Sequence, residues 1–244
     1  KDSHVLSKQN KGDPVDYKVE VLSVSLYVKR IHLNQAAILL AEKKLADGGK
    51  YHYQRLHTLA FNCGKGSRTW SWHNCFNGLA PRRVFMVMLG QENYFGSWSR
   101  LSNYYESACV SAVRFCLDGR EIMPEPYRPS FTYFKPEKDQ DPNRLGKIND
   151  LETDARGAYA GLCRVLGSFF EPRLDMGVDY PAFADGSTIF SAELEHVYGM
   201  EAGRGSLDVH LEFAAPTKEA LTILLLAEYP KTLHFDANRQ ISMV

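Results

Sequence analysis

The chain has 244 residues, with 29 Lys+Arg balancing 29 Asp+Glu, a hydrophobic fraction of 44% and a charged fraction of 24%. At roughly 150 residues per domain this is one large domain or two small ones, and a soluble chain of this length buries about 70–75% of its unfolded surface, so it needs neither disulfides nor metal to fold. Zero net charge argues against a protein whose main task is neutralising nucleic-acid phosphates, and it permits close packing of many copies.

The five cysteines, Cys63, Cys75, Cys109, Cys116 and Cys163, are odd in number, far apart and without a CxxC pair, so they read as reduced thiols rather than a disulfide framework or zinc ribbon. No Asn-x-Ser/Thr sequon and no apolar leader segment occur, which agrees with a non-secreted protein. The apolar run Leu221 to Ala227 stops at Glu228, too short to span a bilayer. The first residue is Lys1 rather than Met, followed by polar Asp2, Ser3 and His4, and the expectation is a fragment or processed product.

In chain order, Tyr17 to Leu33 reads as a long strand with a bulge or bend at Ser23, because Val19 and Val21 alternate with Lys18 and Glu20 before the phase slips. Asn34 is set to cap a short helix with Ala37, Leu40, Ala41 and Leu45 on one face, ended by Asp47-Gly48-Gly49. Tyr51 to Asn62 and Thr69 to Phe76 are aromatic-rich strands joined by the turn Gly64-Lys65-Gly66-Ser67, and Arg83 to Leu89 is an apolar strand covered on both sides. Gln91 to Ser107 reads as a long aromatic loop. Cys109 to Leu117 and Arg120 to Met123 flank Asp118-Gly119, the pair a type I′ hairpin turn requires. Prolines make Pro124 to Asn149 an irregular connection, and Leu151, Ala155, Ala158, Leu162 and Val165 keep helical spacing up to Gly167, with Asn149 or Asp150 as cap. Thr188 to Leu194, Ser206 to Phe213, Leu221 to Glu228 and a short Thr232 to Phe235 complete the strands. In Leu207, Val209, Leu211 and Phe213 the apolar residues alternate with Asp208, His210 and Glu212, as in a half-buried antiparallel strand. About eight strands with long, uneven connections and two helices on excursions predict an all-β jelly-roll sandwich rather than a βαβ fold.

Chemistry is sparse along this chain. The Gly-Lys pair at 64–65 lacks the glycine five positions before it that a phosphate loop needs, since Leu59 stands there, and the plain reading is a turn. Asp208, His210 and Glu212 share a strand face that offers three metal ligands, but they are equally a solvated face, with no second His or Cys at ligand spacing. No G-x-S-x-G elbow and no Cys in a papain-like or caspase-like context occur. No catalytic residue, metal or cofactor is therefore expected. Trp70, Trp72, His73 and Phe76, with Tyr94, Phe95, Trp98, Tyr104 and Tyr105, form an aromatic set suited to stacking on sugars or bases, or to packing and protein–protein contact.

Three stretches carry a family resemblance. Tyr17 to Leu33 resembles the opening of the second jelly roll in the double jelly-roll major capsid proteins of Maverick/Polinton virus-like elements. Leu79 to Leu89 with Asn93 to Trp98, and Gly205 to Pro216 with Leu224 to Tyr229 and Asp236 to Arg239, resemble two later passages of the same family, the last being the most specific. The match follows chain order over most of the sequence, and residues 132–156 depart from it as a charged, proline-containing insertion. The resemblance implies a non-enzymatic building block: a jelly-roll domain over 17–244, preceded by 1–16 as the tail of a first jelly roll or a linker. It also implies homotrimeric pseudo-hexagonal capsomers in an icosahedral shell, with the upstream jelly-roll half and minor or penton capsid proteins as partners. Location in the virion after intracellular assembly follows, with no membrane span and no sequence-specific nucleic-acid binding. Tyr94, Phe95, Trp98, Tyr104 and Tyr105 are then the candidate inter-subunit contacts. A ligand- or carbohydrate-binding β-sandwich, or a capsid-derived protein retained by a host, is the alternative.

Overall fold

Strands carry the architecture. The computed structural model describes residues 20–46, 48–96, 102–131, 154–167, 177–194, 204–236 and 240–243. Nine strands and four helices occur among them: α1 (Gln35–Ala46), β1 (Gly49–Cys63), β2 (Thr69–Trp72), β3 (Arg83–Gly90), α2 (Gln91–Phe95), β4 (Val110–Leu117), β5 (Arg120–Glu121), α3 (Arg156–Leu166), α4 (Tyr180–Ala184), β6 (Phe190–Glu193), β7 (Leu207–Phe213), β8 (Leu221–Phe235) and β9 (Ile241–Met243). Two antiparallel sheets result, one in the order β1-β8-β3-β6 with β9 on β8, the other β2-β7-β4-β5. Eight successive strands shared between two sheets in that interleaved order make a jelly roll. No helix among the described residues is long and apolar enough to cross a membrane.

The chain divides into two compact units, Leu56–Tyr229 and, within Gln9–Arg55 and Pro230–Val244, a smaller one. In the larger unit the inward faces of both sheets meet in one core, where Val84, Met86, Phe115, Phe190, Leu207, Leu211, Ile223 and Leu225 are at most 1% exposed. β7 shows the cause most simply: Leu207, Val209, Leu211 and Phe213 are buried, while Asp208 and His210 are half-buried and Glu212 exposed, as period two demands. The Asp118-Gly119 turn takes positive φ at both positions, 50° and 77°, the I′ geometry that lets β4 fold back on β5. Helix α3 buries Ala158, Gly161, Leu162 and Val165 and ends on Gly167 in the left-handed region. Tyr127 packs against Gly161, where an added Cβ would meet its ring, and its hydroxyl donates to the Ser191 carbonyl (2.9 Å).

In the smaller unit, Asn34 caps α1 by accepting from the Ala37 N–H (2.8 Å). β9 pairs with β8 at Leu233–Phe235, and His52 Nδ1 shares a hydrogen bond with Thr232 Oγ1 (2.9 Å).

Several expectations need correction. Glu20 to Leu33 forms no strand; the eight jelly-roll strands are complete without it, and a strand exists only where an edge accepts its backbone groups. Leu40 is exposed, so the apolar face of α1 is narrower than its spacing suggests. Phe85 and Val87 of β3 are half-buried, not fully covered. The aromatic loop opens with helix α2. Ala155, not Asn149 or Asp150, is the residue before the first turn of α3. β8 runs through Pro230 and absorbs the separate strand expected at Thr232 to Phe235. Helix α4 was not anticipated, although Asp179 followed by Pro181 is a start signal, and the Asp179 carboxylate accepts from the Ala182 N–H at 2.9 Å. Residues 1–19, Trp98 and most of the 132–156 insertion lie outside the described residues.

Candidate functional site

The Gly64–Ser67 turn is closed on itself. Gly66 N–H donates to the Thr217 carbonyl (2.8 Å), Ser67 N–H donates to Thr217 Oγ1 (3.0 Å), and Gly64 O accepts from Ser67 Oγ and Thr217 Oγ1. Those amides are spent on the chain's own groups and cradle no phosphate.

The aromatic set separates by place. Trp70 is buried, donates Nε1–H to the Asn62 carbonyl (3.2 Å) and packs with Phe61; Phe76 is buried against Tyr229. Trp72 is half uncovered, meets Phe61 in a tilted contact at 4.7 Å between ring centroids and stacks on Trp70 at 6.4 Å. Of the candidate contact residues, Tyr104 donates its hydroxyl to Asp185 (2.9 Å), and the backbone N–H of Tyr105 donates to the Gly186 carbonyl (2.8 Å). Tyr94 and Phe95 meet edge to face at 5.3 Å, and Phe95 is 65% exposed.

A second uncovered apolar surface lies in the smaller unit. Leu22, Val24, Leu26 and Tyr27 are each 88–93% exposed, and Val21, Val28 and Ile31 are 71–72% exposed. Water on so many apolar side chains is costly, at about 25 cal/mol per Å² of area left uncovered.

The outward face of β7 gathers the polar chemistry. The β2–β7 register pairs Ser71 with His210 and Trp72 with Val209, so the next residue, His73, comes opposite Asp208. His73, Asp208 and His210 each turn one ligand-type atom to within 4.8 Å of the others. His73 Nδ1 stands 3.3 Å from Asp208 Oδ2, and the rings of His73 and His210 meet edge to face at 5.3 Å. Asp208 Oδ1 accepts from the Asn74 N–H (2.8 Å) and from Ser206 Oγ (3.3 Å), and His210 Nδ1 shares a hydrogen bond with Ser71 Oγ (2.9 Å). Partial burial raises the Asp208 pKa, but the bonds from Asn74, His73 and Ser206 outweigh it and hold the carboxyl below the usual range. Glu212 stays apart, paired with Arg114 at 3.1 Å. Of the three residues sharing the outward face, Glu212 stands apart, and His73 joins Asp208 and His210 instead, which sequence spacing could not place beside a strand more than a hundred residues away.

Three thiols, Cys63, Cys75 and Cys116, are held in the protonated form. Cys75 is pushed up to about 12 by burial and the nearby Asp208 charge, and burial likewise raises Cys63 and Cys116, the reverse of what a nucleophile needs.

No family model and no curated protein matches the chain. Among solved structures it is similar to a chain of the Sputnik virophage, at 9% identity and TM-score 0.40, over 81% of this chain and 39% of that one. It is also similar to the mavirus major capsid protein, at 8% identity and TM-score 0.41, over 81% of this chain and 41% of that one. The chain therefore spans about two fifths of the length of either structure.

Proposed function

We propose that the protein is a structural capsid protein, the second jelly-roll half of a double jelly roll over residues 17–244, with 1–16 as the tail of the preceding half or a linker. The observation that carries the reading is the segment Glu20 to Leu33: strand-forming and apolar, it stands exposed and outside the eight strands that complete the jelly roll. Exposed apolar, strand-forming side chains of this kind are a surface that another chain can cover. The family resemblance of three sequence stretches supplies the partner class, the upstream jelly roll and further copies of the same protein, assembled as a trimeric capsomer in an icosahedral virion. Tyr94, Phe95, Trp98, Tyr104 and Tyr105 are proposed as additional inter-subunit contacts. Rigid sheets with long variable loops suit such a role, and no catalytic step is assigned to it.

The test is mass photometry and electron microscopy of the full-length protein. Trimers or closed particles are expected. A monomer at all accessible concentrations, together with saturable binding in a glycan screen, would instead establish a ligand-binding sandwich.

A further inference from the structure

We infer that His73, Asp208 and His210 form a binding site for a divalent transition metal of the zinc class, with one coordination position open. This goes beyond the capsid reading and does not depend on it. Imidazole and carboxylate together suit zinc, and three protein ligands plus an open fourth position is a common zinc arrangement.

The geometry meets each requirement in turn. Ligands held about 2.0–2.1 Å from a tetrahedral ion stand about 3.3 Å from one another. His73 Nδ1 and Asp208 Oδ2 are 3.3 Å apart, and all three ligand atoms fall within 4.8 Å, so small side-chain rotations close the set around one ion. The same 3.3 Å is long for a charge-assisted hydrogen bond, whose donor and acceptor come to about 2.7–2.9 Å. The ligands are also held from behind. The Asn74 N–H and Ser206 Oγ engage Asp208 Oδ1, leaving Oδ2 turned to His73, and Ser71 Oγ engages His210 Nδ1; with Nδ1 protonated and donating to that hydroxyl, Nε2 carries the lone pair a metal needs. Asn74, at a positive φ of 52°, also accepts through Oδ1 from the Gly78 N–H, which fixes the turn that carries its own N–H.

Charge and access agree. Arg114, opposite His210 on β4, is directed to Glu212 at 3.1 Å and Glu121 at 3.9 Å, so its cation is balanced by carboxylates outside the trio. The His73 side chain is 70% exposed and gives an ion its path in, whereas Asp208 at 16% is shielded enough to strengthen its attraction. The open position faces outward from the sheet, available to water or to a side chain from another molecule.

The experiment is calorimetric titration of zinc chloride into chelator-treated full-length protein, with cobalt as a spectroscopic substitute. One equivalent of zinc is expected to bind saturably, and cobalt to give the intense visible bands of a four-coordinate site. His73→Ala, Asp208→Asn and His210→Gln should each weaken binding more than about tenfold. His234→Ala, outside the trio, should leave it unchanged. Because His73 is exposed, His73→Ala keeps the fold even where Asp208→Asn does not, and circular dichroism checks both. No saturable uptake, or zinc bound equally well by His73→Ala, overturns the site whatever the oligomeric state proves to be.

Discussion

Strand β7 and the segment Glu20 to Leu33 are built from the same residues and behave in opposite ways. In β7, Leu207, Val209 and Leu211 are at most 1% exposed; in the segment, Leu22, Val24 and Leu26 are at least 88% exposed. Composition does not separate them, pairing does. β7 has β2 on one side and β4 on the other, so its amides and carbonyls are satisfied and every second side chain is pressed into the core. The segment has strand chemistry and, among the described residues, no strand beside it. β-propensity measures fit to a pleated, half-buried surface, and among the described residues the chain supplies β7 with such a surface and Glu20 to Leu33 with none.

The contrast is broken most severely from the buried side. Phe115, 1% exposed between the sheets, is expected to lose about 3–5 kcal/mol on Phe115→Ala, a large share of a domain's stability, read as a lowered urea midpoint at constant slope. A loss below about 1 kcal/mol would mean that the two sheets do not form one core. Gly161→Ala places a methyl group against the Tyr127 ring and should cost about 1–3 kcal/mol; in a Tyr127→Phe background the cost should fall, since the hydroxyl is the nearest atom.

These buried contacts were only partly legible beforehand. The period of β7, the Asp118-Gly119 turn, the Asn34 cap and the Gly167 stop were all readable, because each is a local pattern whose physics is complete within a few residues. Glu20 to Leu33 misled because pairing is not local: nothing within the segment says whether an edge is free elsewhere. His73 was missed as a neighbour of Asp208 for the same reason, since only the β2–β7 register brings them together. Glu212 does face outward as its period requires, and what the sequence could not show is that Arg114 on β4 engages it at 3.1 Å.

Tyr127 gives a third prediction, in pH. Burial pushes its phenol from the ordinary value of 10 up to about 12. The native state then keeps a proton that the unfolded chain loses, so stability is fully present below pH 10 and falls as pH rises towards about 12. Tyr229, also raised from 10 to about 12 by burial, adds to the same loss, and Cys75, raised from 9 to about 12 chiefly by burial, adds a loss that begins near pH 9. Tyr127→Phe should cost about 1 kcal/mol at neutral pH through the lost bond to the Ser191 carbonyl, and should flatten the decline above pH 10. Denaturant titrations across that range are the check, and an unchanged slope would show that this phenol is not buried.

Thr222 is the converse case, a buried hydroxyl with no hydrogen-bond partner among the described residues. Thr222→Val keeps its shape and removes the unmet group, so stability is expected to rise by about 1 kcal/mol. A fall would mean that the hydroxyl is satisfied by a bound water.

The smallest effect on folding belongs to the segment itself, and it decides what the opening contrast means. Leu26 is 88% exposed, so Leu26→Ser removes almost no buried area and should change the unfolding free energy by less than about 0.5 kcal/mol. Yet if the segment is covered by another chain in the assembled state, the same substitution deletes an apolar anchor from an interface, where truncating a well-packed residue costs about 2 kcal/mol or more. Mass photometry should then show trimers giving way to monomers while the denaturation curve of the monomer stays in place. Both measurements moving together would indicate that Leu26 is packed within its own chain. Neither moving would mean that no partner uses the segment, and the exposed apolar residues would have to be explained without assembly.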